Sequence, residues 1–118
     1  MYFQELQDQI IKLKNSKKAI LVEGKKDKAC LESLSFENVI EINKRPLYKV
    51  VEETSAVYKE IVILTDLDKK GKQLFGYLNS GLQKHGVKVD NRFRNFLFKK
   101  TRLRQIEGLR SYLERYSN

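Results

Sequence analysis

The run Ile61-Val62-Ile63-Leu64, which stops at Thr65-Asp66-Leu67-Asp68, restricts the fold of this chain more than any other stretch. An unbroken, β-branched-rich apolar run suits a strand buried on both faces, as in a parallel sheet covered by helices. Two carboxylates two residues apart leave such a strand on the same side of the chain, so Asp66 and Asp68 can share one ion. Lys69, Lys70 and Gly71 follow, and Gln73 to Leu82 has helical spacing. The acids therefore sit in a strand-to-helix turn, where open parallel sheets place their ligands.

Other uses of a DxDxxG pattern fit less well. A calcium-binding helix-loop-helix needs an oxygen ligand where Lys70 stands and a bidentate Glu where Tyr77 stands. A phosphate-binding GxxxxGK loop has its spacing in Gly71 and Gly76, but Tyr77 and Leu78 replace the Lys and the hydroxyl. A phosphatase with an aspartyl nucleophile would carry Gly directly after the second Asp and a strand near the start of the chain. The plainest alternative is that Asp66 and Asp68 end a strand and cap a helix.

The strand-to-helix device occurs twice. Ala19-Ile20-Leu21-Val22 is a first buried strand that ends in Glu23-Gly24. Lys25 to Leu34 then reads as a helix, with Asp27 in its first turn and Ala29, Cys30, Leu31 and Leu34 on its inner face. Before it, Phe3, Leu6, Ile10 and Leu13 mark an amphipathic helix over residues 2–16. Val39, Ile40 and Ile42 make a second strand, leading through Asn43-Lys44-Arg45-Pro46 to a helix that runs to about Val57. Leu74, Leu78 and Leu82 give the helix after Asp68 an apolar stripe up to Gly86, with His85 near its end, and Val87 and Val89 mark a short fourth strand. Leu103, Ile106, Leu109 and Leu113 stripe a last helix, with Arg102, Arg104, Arg110 and Arg115 mostly off the stripe. One helix followed by four strand-helix units implies an α/β fold, a mostly parallel sheet of about four strands with helices on both faces.

Charge is distributed unevenly. The chain has 118 residues, enough for a single domain, and a formal charge of +9. Nearly all of the excess lies beyond residue 60, and six of the seven Arg lie beyond residue 91. Arg presents a planar fork of donors suited to phosphate, so this clustering favours a polyanionic partner over a merely solvated basic face. Within Asn91 to Lys100, Phe93, Phe96 and Phe98 alternate with cations, a pattern suited to base stacking, although packing beneath the last helix is the simpler use for the rings. One cysteine excludes an intramolecular disulfide and suits a reducing cytoplasm, with Cys30 as a buried small hydrophobe. One cysteine and one histidine leave no zinc-site constellation. The apolar runs are too short for a spanning helix or a signal-peptide core, so no membrane association is expected.

The two acidic turns, Glu23-Gly24-Lys25-Lys26-Asp27 and Thr65-Asp66-Leu67-Asp68-Lys69-Lys70-Gly71, together resemble the Toprim domain. In that family a Glu ends the first strand in an EGxxD-like motif and a DxD ends the third. The likeness covers residues 18–90 approximately and is strongest to the small free-standing Toprim proteins and to the Toprim domain of ribonuclease M5. It implies a Rossmann-like Toprim fold over a single domain, residues 1–118, with the basic segment 91–118 as an addition. It also implies that Glu23 is the general acid or base and that Asp66 and Asp68, with Glu23 beside them, hold Mg²⁺, for which Mn²⁺ can substitute. Asp27, Gly24 and Gly71 match flanking motif positions. Lys25, Lys26, Lys44, Arg45, Lys69, Lys70, Arg92 and Arg94 are the cations expected to meet RNA or DNA phosphates.

Relatives that pass strands or make primers use a Tyr from a separate domain or a zinc module, and neither has a counterpart here. Two functions follow as expectations. One is Mg²⁺-dependent cleavage of a phosphodiester in structured RNA or DNA, of ribonuclease M5 type or another Toprim nuclease type. The other is a non-catalytic nucleic-acid-binding or adaptor module acting with a protein partner or as a homodimer.

Overall fold

In a computed structural model describing residues 3–116, four short strands form one parallel sheet in the order β2-β1-β3-β4. They are β1 (Ala19–Val22), β2 (Val39–Glu41), β3 (Glu60–Leu64) and β4 (Lys88–Asp90). The two apolar runs named from sequence lie side by side in the middle, paired from Ala19 with Ile61 to Val22 with Leu64. Equal register brings Glu23 and Thr65, the next residue of each strand, out at one rim.

Alternation along β1 and β3 divides the core between the two faces. Ile20, Val22, Val62 and Leu64 pack under α1 (Phe3–Ser16), α2 (Lys25–Ser33), α5 (Arg92–Lys100) and α6 (Leu109–Tyr116). Ala19, Leu21, Ile61 and Ile63 pack under α3 (Leu47–Val57) and α4 (Lys69–Lys84). Both strands are buried throughout their apolar runs.

Several boundaries have local causes. Asp68 is the N-cap of α4 and its carboxylate accepts from the Gly71 N–H at 2.8 Å, so the helix begins earlier than the periodicity of Gln73 to Leu82 implied. The other end of α4 closes at Gly86, whose φ of 79° lets the Val87 N–H reach the Leu82 carbonyl at 2.9 Å. His85 is the C-cap, and a ring nitrogen lies 2.9 Å from the Gly81 carbonyl. Cys30 is buried on α2, whereas Ala29, expected on the same inner face, is exposed. Met1 and Tyr2, including the first residue of the expected 2–16 helix, lie outside the described residues.

The main departure follows α5. The Leu103-Ile106-Leu109-Leu113 stripe does not form one helix: residues 101–105 form no regular element, Ile106–Gly108 is a 3₁₀ turn, and only then does α6 begin. Thr101 stops α5, its hydroxyl donating to the Leu97 carbonyl at 2.9 Å and accepting from the Leu103 N–H at 3.1 Å. The freed segment crosses the rim where β1 and β3 end.

Candidate functional site

At that rim Glu23 and Asp66, 43 positions apart, are joined directly. The Asp66 N–H donates to the Glu23 carboxylate at 2.7 Å. One oxygen of Asp66 accepts from the Ile106 N–H at 2.9 Å, a donor supplied by the 3₁₀ turn. Asp27 reaches back to the Gly24 N–H at 3.0 Å, half of a capping box at the start of α2. Each carboxylate is thus aimed by a backbone donor, and among the described residues none of these acids, nor Asp68, forms a salt bridge.

The turn between the acids is fixed from beneath. Leu67, the middle residue of DxD, is buried in the core under α1 and α2, and its N–H donates to the Arg104 carbonyl at 2.7 Å. The Thr65 hydroxyl donates to the Gly71 carbonyl at 2.7 Å. Gly71 itself lies against the backbone of Asp66, and a Cβ there would fall on the Asp66 carbonyl. Only Gly lets the first turn of α4 approach this closely.

Burial, and then the gathering of like charges, shows in the proton affinities. Burial pushes the Glu23 carboxyl above its ordinary value, against the hydrogen bond from Asp66, with the neighbouring charges of Asp66 and Asp68 adding to the rise. Asp66 is raised for the same leading reason, with Asp68 and Glu107 adding to it. Asp27 is buried and pushed up to about 6, chiefly by loss of water and then by Asp66, Glu23 and Glu107. Lys70 is the cation that moderates Glu23 and Asp66.

The structure therefore brings Glu23, Asp27, Asp66 and Asp68 to one rim, as the sequence implied. It adds Glu107, which no spacing rule connects to the two motifs. Among the described residues no three Asp, Glu, His or Cys side chains converge into a ready-made metal cluster. The second oxygens of Glu23, Asp66 and Asp68 make no hydrogen bond to other described residues.

The cations divide unevenly. Lys25, Lys26, Lys69 and Lys70 are exposed at the starts of α2 and α4, close to the acids. Lys44 is exposed as well, but Arg45 is held by Glu53 at 2.9 Å and by the Glu41 carbonyl at 2.7 Å. Arg92 is forked onto Asp90. Arg94, expected to meet phosphate, is only 7% exposed: it donates to the Asp66 carbonyl at 3.1 Å, and its guanidinium lies 4.3 Å from the centre of the Phe75 ring. It holds the DxD turn from inside. Of the three phenylalanines, Phe93 is buried and Phe96 packs on the core, but Phe98 is exposed, which departs from the expectation that all three pack.

The Toprim domain family matches residues 17–91, more than half of the chain. The chain belongs to the Toprim domain family. Toprim domains are found in nucleases and primases and generally bind Mg²⁺, so membership points to a role connected with nucleic acid. A UPF0292 protein of Methanocaldococcus jannaschii is 34% identical over 97% of this chain and 94% of its own length. One from Thermoplasma volcanium is 40% identical over 86% and 87%. A solved protein from Aquifex aeolicus superposes with a TM-score of 0.80 at 35% identity, covering 86% of this chain and 95% of its own. The Aquifex aeolicus primase, zinc-binding and RNA polymerase domains, shares the fold with a TM-score of 0.57 over 90% of this chain and 27% of that one. The strap at 101–108 lies beyond the matched Toprim span, yet it supplies the Ile106 N–H and the Glu107 charge to the motif acids. Among the described residues no helix is long and apolar enough to cross a membrane.

Proposed function

We propose that the acidic rim carries out Mg²⁺-dependent cleavage of a nucleic-acid phosphodiester, in the manner of ribonuclease M5 or another Toprim nuclease. The observation that carries this reading is the 2.7 Å bond from the Asp66 N–H to Glu23 among acids that have no salt-bridge partner among the described residues. Like charges gathered in a partly buried place with only Lys70 to moderate them raise the energy of the free protein, and a divalent cation would relieve it. Asp66 and Asp68 would hold Mg²⁺. When bound, the ion would stabilise charge on the phosphate and favour deprotonation of water.

The chain's own groups supply the rest. Glu23, fixed in direction by the Asp66 N–H and raised in proton affinity, is positioned to take or give a proton. Lys25, Lys26, Lys69 and Lys70 would orient the phosphates on either side. Arg94 and the Gly71 contact keep the DxD turn in register with Glu23.

The test is cleavage of labelled RNA and DNA, single-stranded and hairpin, with Mg²⁺ or Mn²⁺. Glu23→Gln, Asp66→Asn and Asp68→Asn should each lower the rate by at least about a hundredfold. Activity retained in all three would refute the proposal. Salt-sensitive binding that ignores the three substitutions, with no cleavage by the wild type, would assign the chain instead to the non-catalytic adaptor class.

A further inference from the structure

Phe98 is a large apolar side chain left 40% exposed near the end of α5. It faces away from the core that takes its helix neighbours Phe93 and Leu97. Two cations lie over the ring: the Lys72 ammonium 4.8 Å from its centre and the Arg104 guanidinium 5.5 Å. Both belong to elements that build the site. Lys72 follows Gly71 in α4, and the Arg104 carbonyl accepts the N–H of Leu67, between the two aspartates. Arg104 is itself anchored, its guanidinium donating to the Leu103 carbonyl at 2.9 Å and the Thr101 carbonyl at 3.3 Å.

We propose that Phe98 is a stacking platform for an unpaired nucleobase next to the phosphate engaged at the acidic rim. The base would displace the flexible Lys72 ammonium from over the ring, and Lys72 and Arg104 would take the phosphates on either side of it. This rests on the nucleic-acid reading above and narrows its substrate class. Inside a duplex both faces of a base are covered by its neighbours, so a ring at the rim can stack only on a base from a single strand, a bulge or a frayed end. An aromatic ring flanked by cations is the pairing such strands use, because every base offers a π-face and every linkage a charge. The contact is blind to the sugar, so RNA and DNA strands serve equally.

The experiment is binding by fluorescence anisotropy in EDTA, so that cleavage plays no part. Short oligothymidylate and oligouridylate are compared with an abasic strand of the same charge and with a blunt hairpin. Wild type should prefer the base-bearing strands over the abasic one by roughly five- to a hundredfold. Phe98→Ala should erase the preference while leaving the salt dependence, and Phe98→Tyr should keep it. Because the chain contains no Trp, Phe98→Trp adds a single reporter, whose emission should be quenched by the base-bearing strands and not by the abasic strand. Equal binding of abasic and base-bearing strands by the wild type, or a preference that survives in Phe98→Ala, would overturn the platform. A platform that fails here leaves the cleavage proposal standing. Strands that stack but are never cut with Mg²⁺ would instead remove the cleavage proposal alone.

Discussion

Asp66 and Asp90 stand at the ends of neighbouring strands, and their surroundings are opposite. Asp90 has cations for company: Lys18 at 2.7 Å and a forked Arg92, with Glu60 joined to the same Lys18 at 3.1 Å. These contacts, the hydrogen bond from Arg92 foremost, hold the Asp90 carboxyl well below its usual range, and Asp90 in turn raises Lys18. Asp66 has one backbone N–H, two other acids and only Lys70 against them, and burial pushes its carboxyl up with those acids adding to the rise. The network at Asp90 is electrically closed and contributes stability as it stands. The rim at Asp66 is open and stores repulsion, the pattern expected where stability is given up for binding or catalysis. The same residue type is thus tied into a closed network in one place and left among other acids in the other, and the difference lies in what is brought to meet it.

The sharpest way to break this contrast is through the backbone that builds the rim. Gly71→Ala drives a methyl group into the Asp66 carbonyl, so urea unfolding should show a loss of about 3 kcal/mol or more. A loss well under 1 kcal/mol would mean that the first turn of α4 is free to move.

The two aspartates should then separate by sign. Asp90→Ala strips Lys18 and Arg92 of their acceptor and should cost about 2 kcal/mol. Asp66→Asn keeps an oxygen for the Ile106 N–H while removing a repulsive charge, and should leave stability unchanged or raise it by up to about 1 kcal/mol. Equal destabilisation by both would make the rim a structural device like the Asp90 network.

A smaller effect appears with pH. Asp27, raised to about 6, and the raised Glu23 and Asp66 bind more protons in the folded chain than in the unfolded one. Stability should therefore fall, by on the order of 1 kcal/mol, as pH rises from about 4 to about 6. Asp90 acts in the other direction: its contribution is present above the ordinary carboxylate range and is lost as pH falls below it. A denaturation series should thus peak near pH 4 to 5, and Asp27→Asn should flatten the upper slope. Stability that climbs steadily from pH 4 to pH 7 would contradict the raised proton affinities at the rim.

Much of this was legible in the chain itself. Apolar runs that end in acids announce buried parallel strands and a polar rim, because each signal is local and the sheet only has to set them side by side. The strap was hidden because Leu103, Ile106, Leu109 and Leu113 keep helical spacing. That spacing is satisfied over Ile106 to Leu113 by the 3₁₀ turn and α6, while the Thr101 hydroxyl and the Leu67-to-Arg104 hydrogen bond hold the preceding residues out of a helix. Arg94 was hidden for a similar reason. In sequence it is one cation among many, and only the fold places Phe75 and the Asp66 carbonyl within its reach. Glu107 reaches the rim through the same strap, so nothing local could have marked it.

The most direct test of the open rim is Mn²⁺ binding followed by electron paramagnetic resonance on the wild type, Asp66→Asn and Asp90→Asn. Saturable binding by the wild type, retained in Asp90→Asn and weakened at least about tenfold in Asp66→Asn, is the outcome the contrast requires. No saturable binding by the wild type, or equal binding by all three, would contradict it.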